Sequence, residues 1–193
     1  EYWERYYELG LDKPLIVRYF DWAKNVLRGD FGTSYTYHLP VWEVLGPKLG
    51  VTIYLSVVSM IISFPLGILL GTITGVNRGK TSDTIITFIS NLMCGIPQFV
   101  VAICFLYLFS MKLKLLPAIG FTYPWVNFSK HFQQAIMPVT CLVIQSAAGV
   151  CRQTRSSILE AYGQDYVRTA RAKGIKEKIV IRRHVAKNGI LPI

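Results

Sequence analysis

The sequence predicts an all-α membrane protein, a polytopic helical bundle with about three full spans and the start of a fourth. Of 193 residues, 52% are hydrophobic and only 17% are charged, where a soluble domain carries about 25% charged residues. The charges are clumped, so long apolar runs contain none. Ten bases and three acids then crowd into residues 152–187, directly after the last such run.

Residues 1–48 hold seven acids and six bases and read as an external segment ahead of a membrane domain over 49–193. Within the segment, residues 12–29 predict a surface helix. Asp12 is placed to cap it, and Pro14 suits a first turn. Leu15, Ile16, Tyr19, Phe20, Ala23, Val26 and Leu27 form an apolar stripe at helical spacing, and Gly29 ends it. Such a helix rests on the bilayer interface, receives a partner protein, or packs on its own protein.

Lys48 and Arg78 bracket 29 uncharged residues, Asp83 and Lys112 bracket 28, and His131 and Arg152 bracket 20. A helix needs about 20 apolar residues to cross the hydrocarbon core. Spans are therefore expected near 50–76, 84–110 and 132–151. The cationic loop at 152–187 belongs in the cytoplasm, because Lys and Arg resist translocation. This puts 1–48 and 112–131 outside and 78–83 inside. All four tryptophans (Trp3, Trp22, Trp42, Trp125) fall on the outer side, where the interface suits their rings. An outer amino-terminal segment implies a further span upstream of Glu1. The tail 189–193 reads as the start of another.

Gly67, Gly71 and Gly75 recur every four residues, so they share one helical face where a second helix can come close. Pro65, Pro97 and Pro138 permit kinks. Bent helices suit a protein alternating between two shapes, but plain bundle packing accounts for the same residues. Asn91, Gln98 and Gln145 are amides at membrane depth, and they line a translocation pathway or bond between helices. No Asp, Glu, Lys or Arg lies inside the three runs. An ion-coupled secondary transporter generally needs such groups, so the energy source is expected to be external.

Several chemistries find no support. Cys94, Cys104, Cys141 and Cys151 sit in apolar stretches without metal-ligand spacing. His38, His131 and His184 are scattered, so neither a metal site nor a catalytic constellation is expected. Residues 74–81 nearly spell a phosphate-binding loop, but Thr74 stands where the first glycine belongs. That motif also requires a strand before it and a helix after it. The basic segment lacks any zinc-finger or aromatic-basic RNA pattern, so nucleic acid is not an expected partner.

The most informative stretch is 160–175. Glu160, Asp165, Tyr166, Arg168, Thr169, Ala170, Arg171, Ala172, Lys173 and Gly174 predict a short helix, closed by Gly174. Asp165 near its start and Arg171 and Lys173 near its end complement the helix dipole. A short helix shown to the cytoplasm between two spans is a docking knob.

The run Asp165-Tyr166-Val167-Arg168-Thr169-Ala170-Arg171-Ala172-Lys173-Gly174 resembles the permease subunits of ABC importers for di- and oligopeptides and nickel. So do Arg183-His184, Lys187-Asn188 and Ile190-Leu191-Pro192 downstream. Leu9 to Leu15, Arg28 to Ser34, Pro65-Leu66-Gly67 and Ile96 to Phe99 are similar to the same family. The glutamate of the general importer loop is absent, since Arg168 stands in its place. The resemblance implies a polytopic permease of about six spans, of which this chain would be the middle. It implies the subunit with the long external stretch after its first span. It also implies a second homologous permease, two cytoplasmic ATPases that bind ATP and Mg, and an extracellular or periplasmic substrate-binding protein expected to contact 1–48. No cofactor is expected in this chain itself. A nickel or metal-chelate importer of the same family is the nearest alternative.

Overall fold

A computed structural model describes residues 11–190. Glu1, Trp3, Leu9 and Gly10, and Leu191, Pro192 and Ile193 of the expected fourth span, lie outside the described residues. The described chain is helical, and its sole strand-like feature is one isolated bridge between Thr33 and Pro40. It falls into two compact units that divide after Thr52.

In the first unit, α1 spans Leu15–Leu27. Its cap position is Pro14, which has no polar side chain, so the expected cap by Asp12 is not made. Asp12 stands two residues too early to reach the first-turn N–H groups. The other end does stop at glycine. Gly29 adopts φ +88°, its N–H donates to Val26 O, and the Asp30 N–H donates to Asn25 O at 2.9 Å. These two bonds close the last turn in the manner of a glycine-terminated helix. No α1 residue is buried, and Leu15, Ile16 and Phe20 are largely exposed.

The helix α2 spans Val41–Val76 and passes from the first unit into the second. It begins well before the expected 50 because Lys48 does not interrupt a helix. It runs unbroken through Pro65. A turn with Gly79 at φ +79° leads to α3, Thr81–Gly95.

The expected single span at 84–110 is two arms. α3 ends at Gly95, and α4 runs over Gln98–Phe105, continuing as a π-helical stretch at Leu106–Lys112. The arms meet at 96°. Ile96 takes an extended conformation (φ −87°, ψ 126°), as a residue before proline favours. Pro97 has no N–H to continue the ladder.

The helix α5, Phe128–Tyr162, is capped by Asn127, whose side chain accepts the Lys130 N–H at 3.0 Å. It extends eleven residues past the expected end at Cys151, so the first part of the 152–187 loop is helix. Its buried positions include Ala147, Cys151, Thr154, Ile158 and Ala161, a stripe of period three to four. The chain continues through α6 (Asp165–Ala172), α7 (Glu177–Val180), a π-helical segment at Ile181–Ala186, and α8 (Lys187–Gly189). Ile158, Ala161, Val167, Ala170, Val180 and Val185 form one buried cluster joining the end of α5 to α6 and the returning chain.

Gly67, Gly71 and Gly75 lie on the α2 face against α5. A Cβ on Gly67 would come within 2.6 Å of Val150 Cβ, and one on Gly71 within 2.6 Å of the Cys151 carbonyl oxygen. A Cβ on Gly75 would strike Ile158. The missing side chains set the α2–α5 separation. α2 and α5 are each long and apolar enough to cross a membrane, and the bent pair makes up to a third span.

Candidate coupling surface

The helix α6 is short and two-faced. Val167 and Ala170 point into the buried cluster, at 0% and 4% exposure. Asp165, Tyr166, Arg168, Thr169 and Ala172 face outward. The Thr169 hydroxyl donates to the Asp165 carbonyl at 2.9 Å, so it serves its own helix. Asp165 lies 3.6 Å from Arg168 across one exposed turn, a pairing worth little in water.

Its far end is closed by Gly174 at φ +74°, with the Gly174 N–H on Arg171 O and the Ile175 N–H on Ala170 O. Ile175 then packs on the buried cluster, as the residue after such a cap commonly does. Lys173 is exposed beside it. Arg171 is a brace as well as a dipole partner. Its Nε and Nη2 donate to Glu177 at 3.0 and 2.6 Å, and its guanidinium lies 5.5 Å from the Tyr162 ring centroid. The paired guanidinium holds the Glu177 carboxyl below its ordinary range. One side chain therefore ties the end of α5, the end of α6 and the start of α7. Glu160 sits exposed on the last turns of α5.

A second polar junction lies where α3 begins. Arg155 on α5 donates twice to Asp83, from Nε at 2.7 Å and from Nη2 at 3.0 Å. Asp83 also accepts the Gly79 N–H and the Thr87 hydroxyl, each at 3.0 Å. The Asp83 side chain is only 7% exposed. All four bonds go to one carboxylate, so its buried charge is matched. The pair locks the 77–80 turn and α3 to the α5 extension that carries α6.

The three amides do not converge. Gln145 Nε2 donates to the Ile96 carbonyl at 3.1 Å, satisfying an oxygen at the break before Pro97. Gln98 opens α4 and is exposed. Asn91 is exposed and lines a cleft of about 310 Å³ with Thr87, Ser90, Arg152 and Arg155. Of the two roles expected for these amides, Gln145 makes the interhelical bond.

Sequence reasoning missed two junctions. Asp83 served as a boundary marker and Arg155 only as one of the bases of the 152–187 segment, and neither as a partner of the other, being 72 residues apart. Their signal was the placement of a lone acid at the start of one span and a base beyond the end of another. His131 read as one of three scattered histidines. It is 8% exposed, bonded through Nδ1 to Thr122 O at 2.7 Å and through Nε2 to the Tyr54 hydroxyl at 3.1 Å. The carbonyl can only accept, so Nδ1 carries the proton and Nε2 accepts from Tyr54. Phe121 and Tyr123 close edge-on around Tyr54, a packed knot with no reactive group exposed. Among the described residues, no group of three or more His, Cys, Asp or Glu is placed to hold a metal.

Comparison with known proteins matches this architecture. The family described as "binding-protein-dependent transport system inner membrane component" matches residues 63–193, more than half of the chain. A probable peptide ABC transporter permease protein of Sinorhizobium fredii is 36% identical over 96% of this chain and 59% of its own length. A putative peptide permease protein of Brucella ovis is 35% identical, again over 96% of this chain and 59% of its own length. An oligopeptide transport system permease protein of Mycobacterium tuberculosis is 31% identical over 97% of this chain and 61% of its own length. The chain thus spans less than two thirds of the length of these curated relatives. With its apolar helices it is an integral membrane protein, and it belongs to the family of binding-protein-dependent transport system inner membrane components.

Proposed function

We propose that this chain is part of the transmembrane permease subunit of an ATP-driven importer that carries di- and oligopeptides across the cytoplasmic membrane. The subunit does no chemistry of its own. ATP and Mg are bound by two cytoplasmic ATPase subunits, a second homologous permease completes the pathway, and an external binding protein delivers substrate to the 1–48 side. The names of the relatives support the peptide substrate.

The observation that carries the coupling role is the construction of α6. Its inner face is anchored in a buried cluster and its outer face is free. A load applied to the outer face passes to Ile158 and Ala161 on α5, and through Arg155 and Asp83 to α3. The α2 glycine face carries the same motion onward, since little can slip where backbones touch. Closure of the ATPases on ATP then favours one of two helix arrangements. The bias equals the difference in contact energy between those states.

Replacing Gly174 with Asp in the full-length permease tests this. A Cβ at Gly174 meets no atom within 4 Å, so the helical core is spared. The positive φ and a negative charge at a helix end both disfavour the local cap. Membrane insertion is expected to persist while ATP-dependent peptide uptake is lost. Unchanged uptake contradicts the docking assignment.

A further inference from the structure

We propose that Lys178, Arg182, Arg183 and Lys187 form a binding site for the phosphate headgroup of anionic phospholipids in the cytoplasmic leaflet. It rests on the reading that the 160–174 loop faces the cytoplasm. The segment after α6 has two unlike sides. Val180 and Val185 are fully buried against α5 and α6, which fixes the segment in place. Lys178, Ile179, Arg182, Arg183 and Lys187 line a cleft of about 540 Å³ on the other side.

Helical spacing aligns Lys178 with Arg182, and Arg183 with Lys187. The π-helical turns over Ile181–Ala186 add to this. Their bonds run from i to i+5, which draws Arg182 towards Lys187. The geometry gathers four cations along one groove where a uniform helix would fan them apart.

Among the described residues these cations have no acid to pair with. The ion pairs among the described residues engage Lys13, Arg155, Arg168 and Arg171. The adjacent acid, Glu177, is held in a two-point bond by Arg171. Four clustered positive charges with no partner among the described residues call for an external anion. Two of them are arginines, whose forked donors fit phosphate oxygens two at a time.

Depth and apolarity choose the source of that phosphate. The segment runs back along α5. Gly189 lies against Ile158, where an added Cβ would stand 2.8 Å from Ile158 Cδ1. Ile158 is seven residues past Cys151, the last residue of the charge-free run. At 1.5 Å per residue that is about 10 Å beyond the hydrocarbon edge, just outside a headgroup layer about 5–7 Å deep, which long Lys and Arg side chains reach back to. Ile179, 46% exposed, offers an apolar surface between the charges. A glycerol backbone and upper acyl chain suit that surface.

The test uses the full-length permease purified in detergent, with native mass spectrometry counting bound phosphatidylglycerol against phosphatidylcholine. The wild type is expected to retain phosphatidylglycerol preferentially. Each cation changed to Gln (K178Q, R182Q, R183Q, K187Q) is expected to weaken retention about fivefold, while Lys112→Gln leaves it unchanged. Arg182→Lys is expected to keep most of the retention. Equal retention by the quadruple variant overturns the proposal. So does displacement by millimolar inorganic phosphate, which would mark a free-anion site. Loss of ATPase co-purification with lipid retention intact also overturns it and assigns the groove to that partner. Lipid counting in detergent does not depend on sidedness in cells, so failure of the cytoplasmic reading would show elsewhere.

Discussion

Asp83 accepts four hydrogen bonds, two of them from Arg155. Losing one partner strands the other charge, at a carboxylate that is nearly buried and a guanidinium that is 27% exposed. Breaking such a pair costs about 3–5 kcal/mol, far more than the exposed Asp165–Arg168 pair is worth. Asp83→Ala is therefore expected to lower the apparent melting temperature of the purified permease by about 6–12 °C. Asp165→Ala is expected to leave it nearly unchanged. Equal effects in a thermal unfolding series would show that the junction carries no special weight. This pair was not legible in the sequence. Each residue was visible as a charge beside a span, but partnership depends on how α3 and α5 are set against each other. His131 was hidden for the same reason, since Tyr54 and Thr122 approach it only in three dimensions.

At the scale of elements, apolar runs and glycine spacing read well because they are local. A charge-free run of hydrocarbon length shows itself without any knowledge of neighbours. Gly29 and Gly174 ended their helices where the sequence placed them, since positive φ is a local demand. The break at Ile96–Pro97 was only half visible. Pro97 announced a bend, but its 96° depends on a neighbour that donates to the backbone carbonyl at the break. That neighbour is Gln145, on another helix. The span expected to end at Cys151 belongs to a helix that runs on to Tyr162, because charge marks the end of a membrane run and not the end of a helix. The α2–α5 contact offers a direct test. Gly71→Leu forces a side chain towards the Cys151 carbonyl, and overpacking of this kind costs about 1–3 kcal/mol. Gly149 meets no atom within 4 Å of an added Cβ, so Gly149→Ala is the matched control. Detergent-solubilised Gly71→Leu is expected to aggregate or melt early in size-exclusion profiles while Gly149→Ala runs like wild type. A wild-type profile for Gly71→Leu would mean that the two helices do not depend on close approach.

For the molecule as a whole, one arrangement connects α6 to the apolar helices. α6 sits on the end of α5, α5 is pinned to α3 by a buried ion pair, and α5 lies against the glycine face of α2. The expectations for partners, substrate and sidedness rested mainly on the 165–174 run and the positive charge after it. The physical pattern of helices alone says nothing of peptides. All of the proposed mechanism requires the α6 surface to face the cytosol. The direct measurement places single cysteines at Lys173 and Lys130 in a full-length permease whose native cysteines are replaced, and labels them with a membrane-impermeant maleimide. Both residues are exposed. Lys130→Cys is predicted to react in intact cells, and Lys173→Cys only after permeabilisation. Labelling of Lys173→Cys in intact cells would contradict the account.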